Sequence, residues 1–358
     1  MSFTFKTKTI TEKSPSVFDA RKKPFSIHGL WNPERGGVFR RMPEEIAKKT
    51  SGRVHTLYTN TAGARLRFST DSGFVAVGAI YPPMQFPSER TAALSGAGAF
   101  CFDLYSDGEH ISVMYPQSIR QSGSVVSFDL GEGRYESVIT FPERRMREIT
   151  LCFPSFVDIS ELYVGLEEGA ALFEAEPYKN ENPVVFYGSS ITQGACASRS
   201  GNIYQNILSR RLGFDYINLG FAGGCLAEEA IIDYLCTLDA PIFVFDYDHN
   251  TPSVEYLEKT HLPALRKIRA AHPNMPIVLM SKPNLQNGRA VTEARRDVIE
   301  KSFRTLREES CAPIHFVDGL KAFESRDSEM MTVDGTHPTD LGFYCISDAL
   351  YEVLKLYY

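Results

Sequence analysis

The chain has 358 residues, 43% hydrophobic and 23% charged, with a formal net charge of -6. This length allows two domains with separate cores, and the acidic balance, without a dense Lys/Arg stripe, argues against a nucleic-acid partner. No run approaches the roughly 18 apolar residues of a membrane span, and the opening Met1-Ser2-Phe3-Thr4-Phe5-Lys6 lacks a signal-peptide core, so no membrane is expected either.

Residues 1–20 read as an N-terminal extension, and residues 21–176 as a β-sandwich domain. In chain order, the segments 65–69 and 74–80 alternate as strands. Segments 101–105 and 111–115 flank Asp107-Gly108, a pair that accepts positive φ at a tight hairpin turn. Segments 125–130 and 135–141 are expected to form a second hairpin through Gly131-Glu132-Gly133, and 162–166 a last strand. Many short strands without long helices predict a jelly-roll-like sandwich. A polar stretch bracketed by Pro177 and Pro183 reads as the linker.

From residue 177 to 358 the pattern changes to strands alternating with helices. Strands are predicted at 184–187, 216–219, 242–247, 277–280 and 314–317, and helices at 204–212, 226–238, 253–271, 291–309 and from 339 onward. Pro252 suits an early helical position. Five β/α repeats imply a parallel sheet covered on both faces. Seven cysteines (Cys101, Cys152, Cys196, Cys225, Cys236, Cys311 and Cys345) are odd in number and contain no Cys-x-x-Cys. Neither a disulfide framework nor a zinc site is expected, and a reducing cytoplasm is the expected location.

Chemistry-bearing residues recur where predicted strands end. Ser190, in Gly188-Ser189-Ser190-Ile191-Thr192-Gln193-Gly194, follows the first strand of the second half. Gly223 and Asn250 follow the second and third strands, and Asp334 and His337 precede the last helix. In open α/β sheets this edge is where ligands bind. A serine hydroxyl needs a base to take its proton, a group to orient that base, and donors for the oxyanion. One sheet edge offers candidates for all of them.

These blocks resemble the SGNH or GDSL-type hydrolases. Gly188-Ser189-Ser190-Ile191-Thr192-Gln193-Gly194 is similar to their Gly-Asp-Ser-Leu/Ile block, with Ser189 replacing the aspartate, and Asp334-Gly335-Thr336-His337 matches Asp-x-x-His. Gly223 matches the second block, with Gly220 as the competing alignment. Asn250, in Asp248-His249-Asn250-Thr251, keeps the third block's asparagine without its glycine and trailing aspartate. Gly98-Ala99-Phe100-Cys101-Phe102-Asp103-Leu104-Tyr105 resembles the Gly-x-Asp-Leu-Tyr signature of a small β-domain that precedes some members, and the stretches at Arg41-Met42-Pro43 and 62–68 are similar too. The resemblance implies a flavodoxin-like three-layer αβα domain after a β-sandwich, and a serine esterase. Ser190 would be its nucleophile, His337 its base and Asp334 its acid, with the oxyanion held by Ser190, Gly223 and Asn250. It implies no cofactor and no metal.

Other residues carry two readings. Ser189, His249, Asp103 and Trp31 are candidate substrate contacts; His249 also fits a loop hydrogen-bonder, Asp103 strand packing and Trp31 a sandwich anchor. Asp246 and Asp248 read as loop caps. No Gly-x-Ser-x-Gly occurs, which argues against an α/β-hydrolase elbow. The expected partner is a small-molecule or oligosaccharide ester, most plausibly an O-acetylated saccharide, and a homo-oligomer is compatible with the sequence. The alternatives are a carbohydrate-binding protein on a degenerate hydrolase scaffold and an acetylhydrolase of phospholipid-type esters.

Overall fold

Alternating apolar residues in the first half pair into two facing antiparallel sheets. The computed structural model describes residues 3–83, 93–116, 119–122, 125–128, 133–285, 287–324 and 327–358. Strands there are β1 (Ser16–Asp19), β2 (Ser26–His28), β3 (Arg65–Thr70), β4 (Phe74–Ile80), β5 (Phe102–Ser106), β6 (Glu109–Met114), β7 (Ile119–Ser122), β8 (Val125–Phe128), β9 (Arg134–Thr140), β10 (Arg147–Cys152), β11 (Glu161–Leu166) and β12 (Leu172–Phe173). One sheet runs β1-β11-β4-β9 and the other β12-β3-β10-β5-β6, with β2 also on β3. Val75, Val77, Val164 and Leu166 of the first meet Leu66, Phe68, Leu104 and Leu151 of the second in one buried core. The β5–β6 hairpin turns at Asp107 and Gly108, both at positive φ, as a two-residue hairpin turn requires.

Two expectations about this half are corrected. Residues 16–19 are not part of a separate extension: they pair with β11. Further upstream, Phe5 and Ile10 cover the outer face of β4 at Phe74 and Ala76. The second hairpin also pairs differently. β8 pairs with β7, whereas β9 pairs along its whole length with β4. Gly131 and Glu132 of the expected turn lie outside the described residues. β4 offers an apolar partner of equal length, and that long-range pairing overrides the local turn signal.

The second half contains β13 (Val184–Gly188), β14 (Tyr216–Gly220), β15 (Phe243–Asp246), β16 (Ile277–Met280) and β17 (Ile314–Val317), all parallel, in the order β14-β13-β15-β16-β17. This is the flavodoxin-like order, and its switch point lies beside β13. Period-two alternation sends Val185, Tyr187 and Phe245 into the core on one face, and Val184, Phe186 and Val244 into the core on the other. Both faces are therefore apolar, which explains why the strands read as unbroken hydrophobic runs. The expected helix 226–238 shortens to Glu229–Leu235. Ser253, not Pro252, caps the helix Val254–Ala271, accepting from Tyr256 N at 3.2 Å. Among the described residues, no helix is long and apolar enough to cross a membrane.

Buried charges join the halves. Arg65 on β3 is 1% exposed and pairs with Asp215, whose other oxygen meets His28 Nδ1 at 2.8 Å. Asp103 on β5 is fully buried and accepts from Arg199 Nη1 at 2.8 Å and Gly201 N at 3.1 Å. Removing one member of such a buried pair typically costs about 3–5 kcal/mol, because the other charge is left stranded.

Candidate active site

β13 ends in a sharp turn into the short helix Ser190–Gln193. Gly188 is required there: a Cβ would lie 2.0 Å from Thr192 Oγ1 and 2.2 Å from Asp246 O. Ser189 caps the helix by accepting from Ile191 N at 3.2 Å and is fully buried. Ser190 takes the first helical position, where its N–H has no intrahelical acceptor. The residue is 9% exposed.

The structure brings the far segment to it. Ser190 Oγ lies 2.9 Å from His337 Nε2, and His337 Nδ1 lies 2.8 Å from Asp334 Oδ2. The other Asp334 oxygen accepts from the backbone N–H of His337 at 2.8 Å and of Thr336 at 3.0 Å. Asn284 Nδ2 donates to Thr336 O at 2.8 Å and steadies the same loop. Burial opposes ionisation of Asp334, but the His337 backbone and ring and the Thr336 N–H outweigh it and hold its pKa below the ordinary value. This chain of contacts can move a proton off a hydroxyl and stabilise the resulting imidazolium.

The turn after β14 supplies a free donor. Gly220 N donates to Asn218 Oδ1 at 2.9 Å, Phe221 N to Gly188 O at 2.9 Å, and Ala222 N to Gln193 Oε1 at 2.9 Å. Gly224 N donates to Phe221 O at 2.9 Å and Cys225 N to Asn250 Oδ1 at 3.3 Å. Within 220–225, only the Gly223 N–H is left without an acceptor among the described residues, which favours Gly223 over Gly220 as the free donor. With its oxygen engaged by Cys225, Asn250 keeps its amide N–H groups for another partner.

The four expected substrate contacts fare differently. Ser189 is corrected: its side chain is fully buried, with the hydroxyl oxygen accepting from Ile191 N as the helix cap. Asp103 is corrected too: it is sealed in the domain interface, where His110 Nε2 also contacts it at 2.9 Å. Trp31 is partly exposed, donates its backbone N–H to Arg40 O at 2.8 Å, and has no described contact with the Ser190 site. Both His249 ring nitrogens are buried without a hydrogen-bond partner among the described residues. Burial, then the charges of Lys282, His337 and Arg295, hold the His249 pKa well below the ordinary value, so the ring is neutral at neutral pH.

The two carboxylates expected as loop caps, Asp246 and Asp248, lie buried under the site, where Thr192 and Lys282, singled out by nothing in the sequence, reach them. Thr192 Oγ1 donates to Asp246 Oδ2 at 3.1 Å, and Lys282 N donates to Asp248 Oδ2 at 3.0 Å. Asp246 is pushed up to about 8, first by burial and then by Asp248. Its folded-state pKa lies above the unfolded value of 3.8, so the folded chain keeps a proton that the unfolded chain releases. Stability therefore declines as pH rises from about 4 to about 8 and levels off above that. Asp246→Asn keeps an acceptor for Thr192 and is expected to flatten this decline, raising the thermal midpoint at pH 8 by at least about 2 °C. Unchanged slopes in thermal melts of the two proteins between pH 5 and 8 would contradict this.

A cavity of about 640 Å³ opens behind the acid, lined by Asn284, Leu285, Lys321, Thr332, Asp334 and Gly335 among others, but by neither Ser190 nor His337. It flanks the loop of Asp334 without reaching Ser190 or His337. Among the described residues, no group of three or more His, Cys, Asp or Glu side chains could hold a metal ion.

Comparisons with known proteins agree with this layout. The sequence model of the GDSL-like lipase/acylhydrolase family matches residues 181–355, and a model describing the N-terminus of SGNH-hydrolase-type esterases matches 16–172. A search of curated proteins returns no match. A solved GDSL-like lipase from Bacteroides ovatus is similar over 95% of this chain and 97% of its own, with 25% identity and a TM-score of 0.78. A salicylyl-acyltransferase from a tetracycline biosynthetic pathway shares the fold at 20% identity over 96% and 97% of the two chains, with a TM-score of 0.72. An acetyl xylan esterase from the rumen bacterium Butyrivibrio proteoclasticus shares it at 10% identity over 96% and 98%, with a TM-score of 0.58.

Proposed function

Because this chain belongs to the GDSL-like lipase/acylhydrolase family and carries the N-terminal domain of SGNH-type esterases, we propose that it is a serine esterase. Its substrates would be small acyl esters, acetyl above all, on O-acylated saccharides. The observation that carries this reading is the 2.9 Å contact between Ser190 Oγ and His337 Nε2, continued to Asp334 at 2.8 Å. The same contacts favour a working hydrolase over a binding module on a degenerate scaffold.

In this reading His337 takes the Ser190 proton as Oγ attacks the ester carbonyl carbon. Asp334 keeps the proton on Nδ1, so that Nε2 is the accepting atom. The N–H groups of Ser190 and Gly223 and the Asn250 amide hold the oxyanion; losing one such donor typically costs about 3 kcal/mol of transition-state stabilisation. The tetrahedral species collapses, the C–O bond to the alcohol breaks, and His337 returns the proton to that alcohol. A water, deprotonated by the same imidazole, then releases the acid and restores Ser190. His249 is a candidate substrate contact, since no group among the described residues uses its ring nitrogens.

The saccharide assignment is supported by the two-domain fold held in common with the acetyl xylan esterase. Acetate release from acetylated xylo-oligosaccharides is expected to exceed that from short-chain phospholipid acetates by at least about tenfold in kcat/KM, a discrimination of about 1.4 kcal/mol in transition-state binding. A reversed preference would remove the saccharide assignment and leave the esterase reading in place.

A further inference from the structure

Phe221 to Gly224 form a β-turn closed by Gly224 N donating to Phe221 O at 2.9 Å. Gly223 occupies the third position at φ +71, while Ala222 is not at positive φ, which gives the turn type II geometry. The central peptide joins the Ala222 carbonyl to the Gly223 N–H. A trans peptide is planar, so its C=O and N–H point in opposite directions. Type I and type II turns differ mainly by a flip of this central peptide. A flip would turn the free N–H away from where it now points.

Arg53, on the helix Gly52–Leu57 of the first half, donates from Nε to Ala222 O at 2.7 Å. Its stem fills the space beside the turn, where a Cβ on Gly224 would lie 2.9 Å from Arg53 Cγ. Arg41 supports the strand end just before the turn. It is 1% exposed and donates to Gly220 O at 2.6 Å, Asn218 O at 3.0 Å and Leu57 O at 2.7 Å. Gln193, from the nucleophile's own helix, takes the Ala222 N–H and also donates to Asn60 Oδ1 of the first half at 3.1 Å.

Resting on the esterase reading, we infer that Arg53 is a positioning residue: by holding the Ala222 carbonyl it fixes the Gly223 N–H as an oxyanion donor, so the β-sandwich half sets part of the transition-state geometry. A charged donor on the carbonyl also polarises the N–H at the other end of the same peptide, making it the stronger donor.

The test compares wild type, Arg53→Gln, Arg53→Lys and Ser190→Ala on p-nitrophenyl acetate, on the anionic mono-p-nitrophenyl succinate, and in labelling by a fluorophosphonate. Arg53→Gln is expected to lower kcat by about 10- to 100-fold with KM within about twofold on both esters, as a misaimed donor should. Labelling should slow by the same factor, and the pH midpoint of kcat should stay in place, because the Ser190–His337–Asp334 contacts are untouched. Arg53→Lys, which keeps one charged donor, should recover most of the loss, and its kcat decides the matter if the glutamine variant melts early. Full kcat in both arginine variants alongside an inactive Ser190→Ala would overturn the inference and leave the esterase reading intact. A KM increase confined to the succinate ester would overturn it by making Arg53 a substrate-binding group. An active Ser190→Ala would instead defeat the esterase reading itself.

Discussion

Ser190→Ala is expected to lower kcat on p-nitrophenyl acetate by about 10⁴- to 10⁶-fold while leaving the fold intact. The hydroxyl makes one hydrogen bond, to His337 Nε2. Its backbone roles at the start of the helix, accepting from Gly194 N at 3.1 Å and Ala195 N at 2.9 Å, survive the change. The thermal midpoint should therefore hardly move, which separates lost chemistry from lost structure. Steady-state hydrolysis and a thermal melt of the same preparation check both halves of the expectation. Retention of more than about a tenth of the activity would point to another nucleophile.

Asp334→Asn is the second large effect, about 10⁴-fold in kcat. The carboxylate divides its work: one oxygen takes the N–H groups of Thr336 and His337, and the other takes the imidazole. An asparagine would keep its carbonyl oxygen on the two backbone donors and turn its NH2 toward Nδ1. That arrangement makes Nδ1 an acceptor and moves the ring proton to Nε2, where it blocks uptake of the Ser190 proton. Because the loop's backbone bonds are kept, the variant should melt near the wild type. An asparagine variant with near-normal kcat would show that the acid does not set the tautomer.

The parallel half was legible because its physics is local and repetitive. β13 to β17 lie in a sheet covered on both faces, so they read as apolar runs, and the first three are followed by Ser190, Gly223 and Asn250. The β5–β6 hairpin was legible through Asp107 and Gly108, whose backbone angles few other pairs adopt as readily. The sandwich pairing was not: β9 chose β4 over β8 because cross-sheet burial, not turn propensity, decides which strands meet. β1 is short and only half-buried, so its alternation was too weak to distinguish it from an extension. At the site, Ser190, His337 and Asp334 stood out because their spacing follows the resemblance. Ser189 and Asp103 misled because a polar side chain near a motif looks the same in sequence whether it faces solvent or a buried partner. Arg53 gave no signal at all, and Arg41 only as part of a stretch similar to the family, with no hint of what it holds. An arginine is read as surface by default, and only the packed halves reveal carbonyls waiting for its donors.

The most direct test is covalent. Full-length protein treated with a fluorophosphonate should gain one adduct by intact mass, and peptide mapping should place it on Ser190; prior occupation of the site by a boronic acid should prevent it. An adduct on a different residue, or no adduct on protein that hydrolyses p-nitrophenyl acetate, would contradict the account.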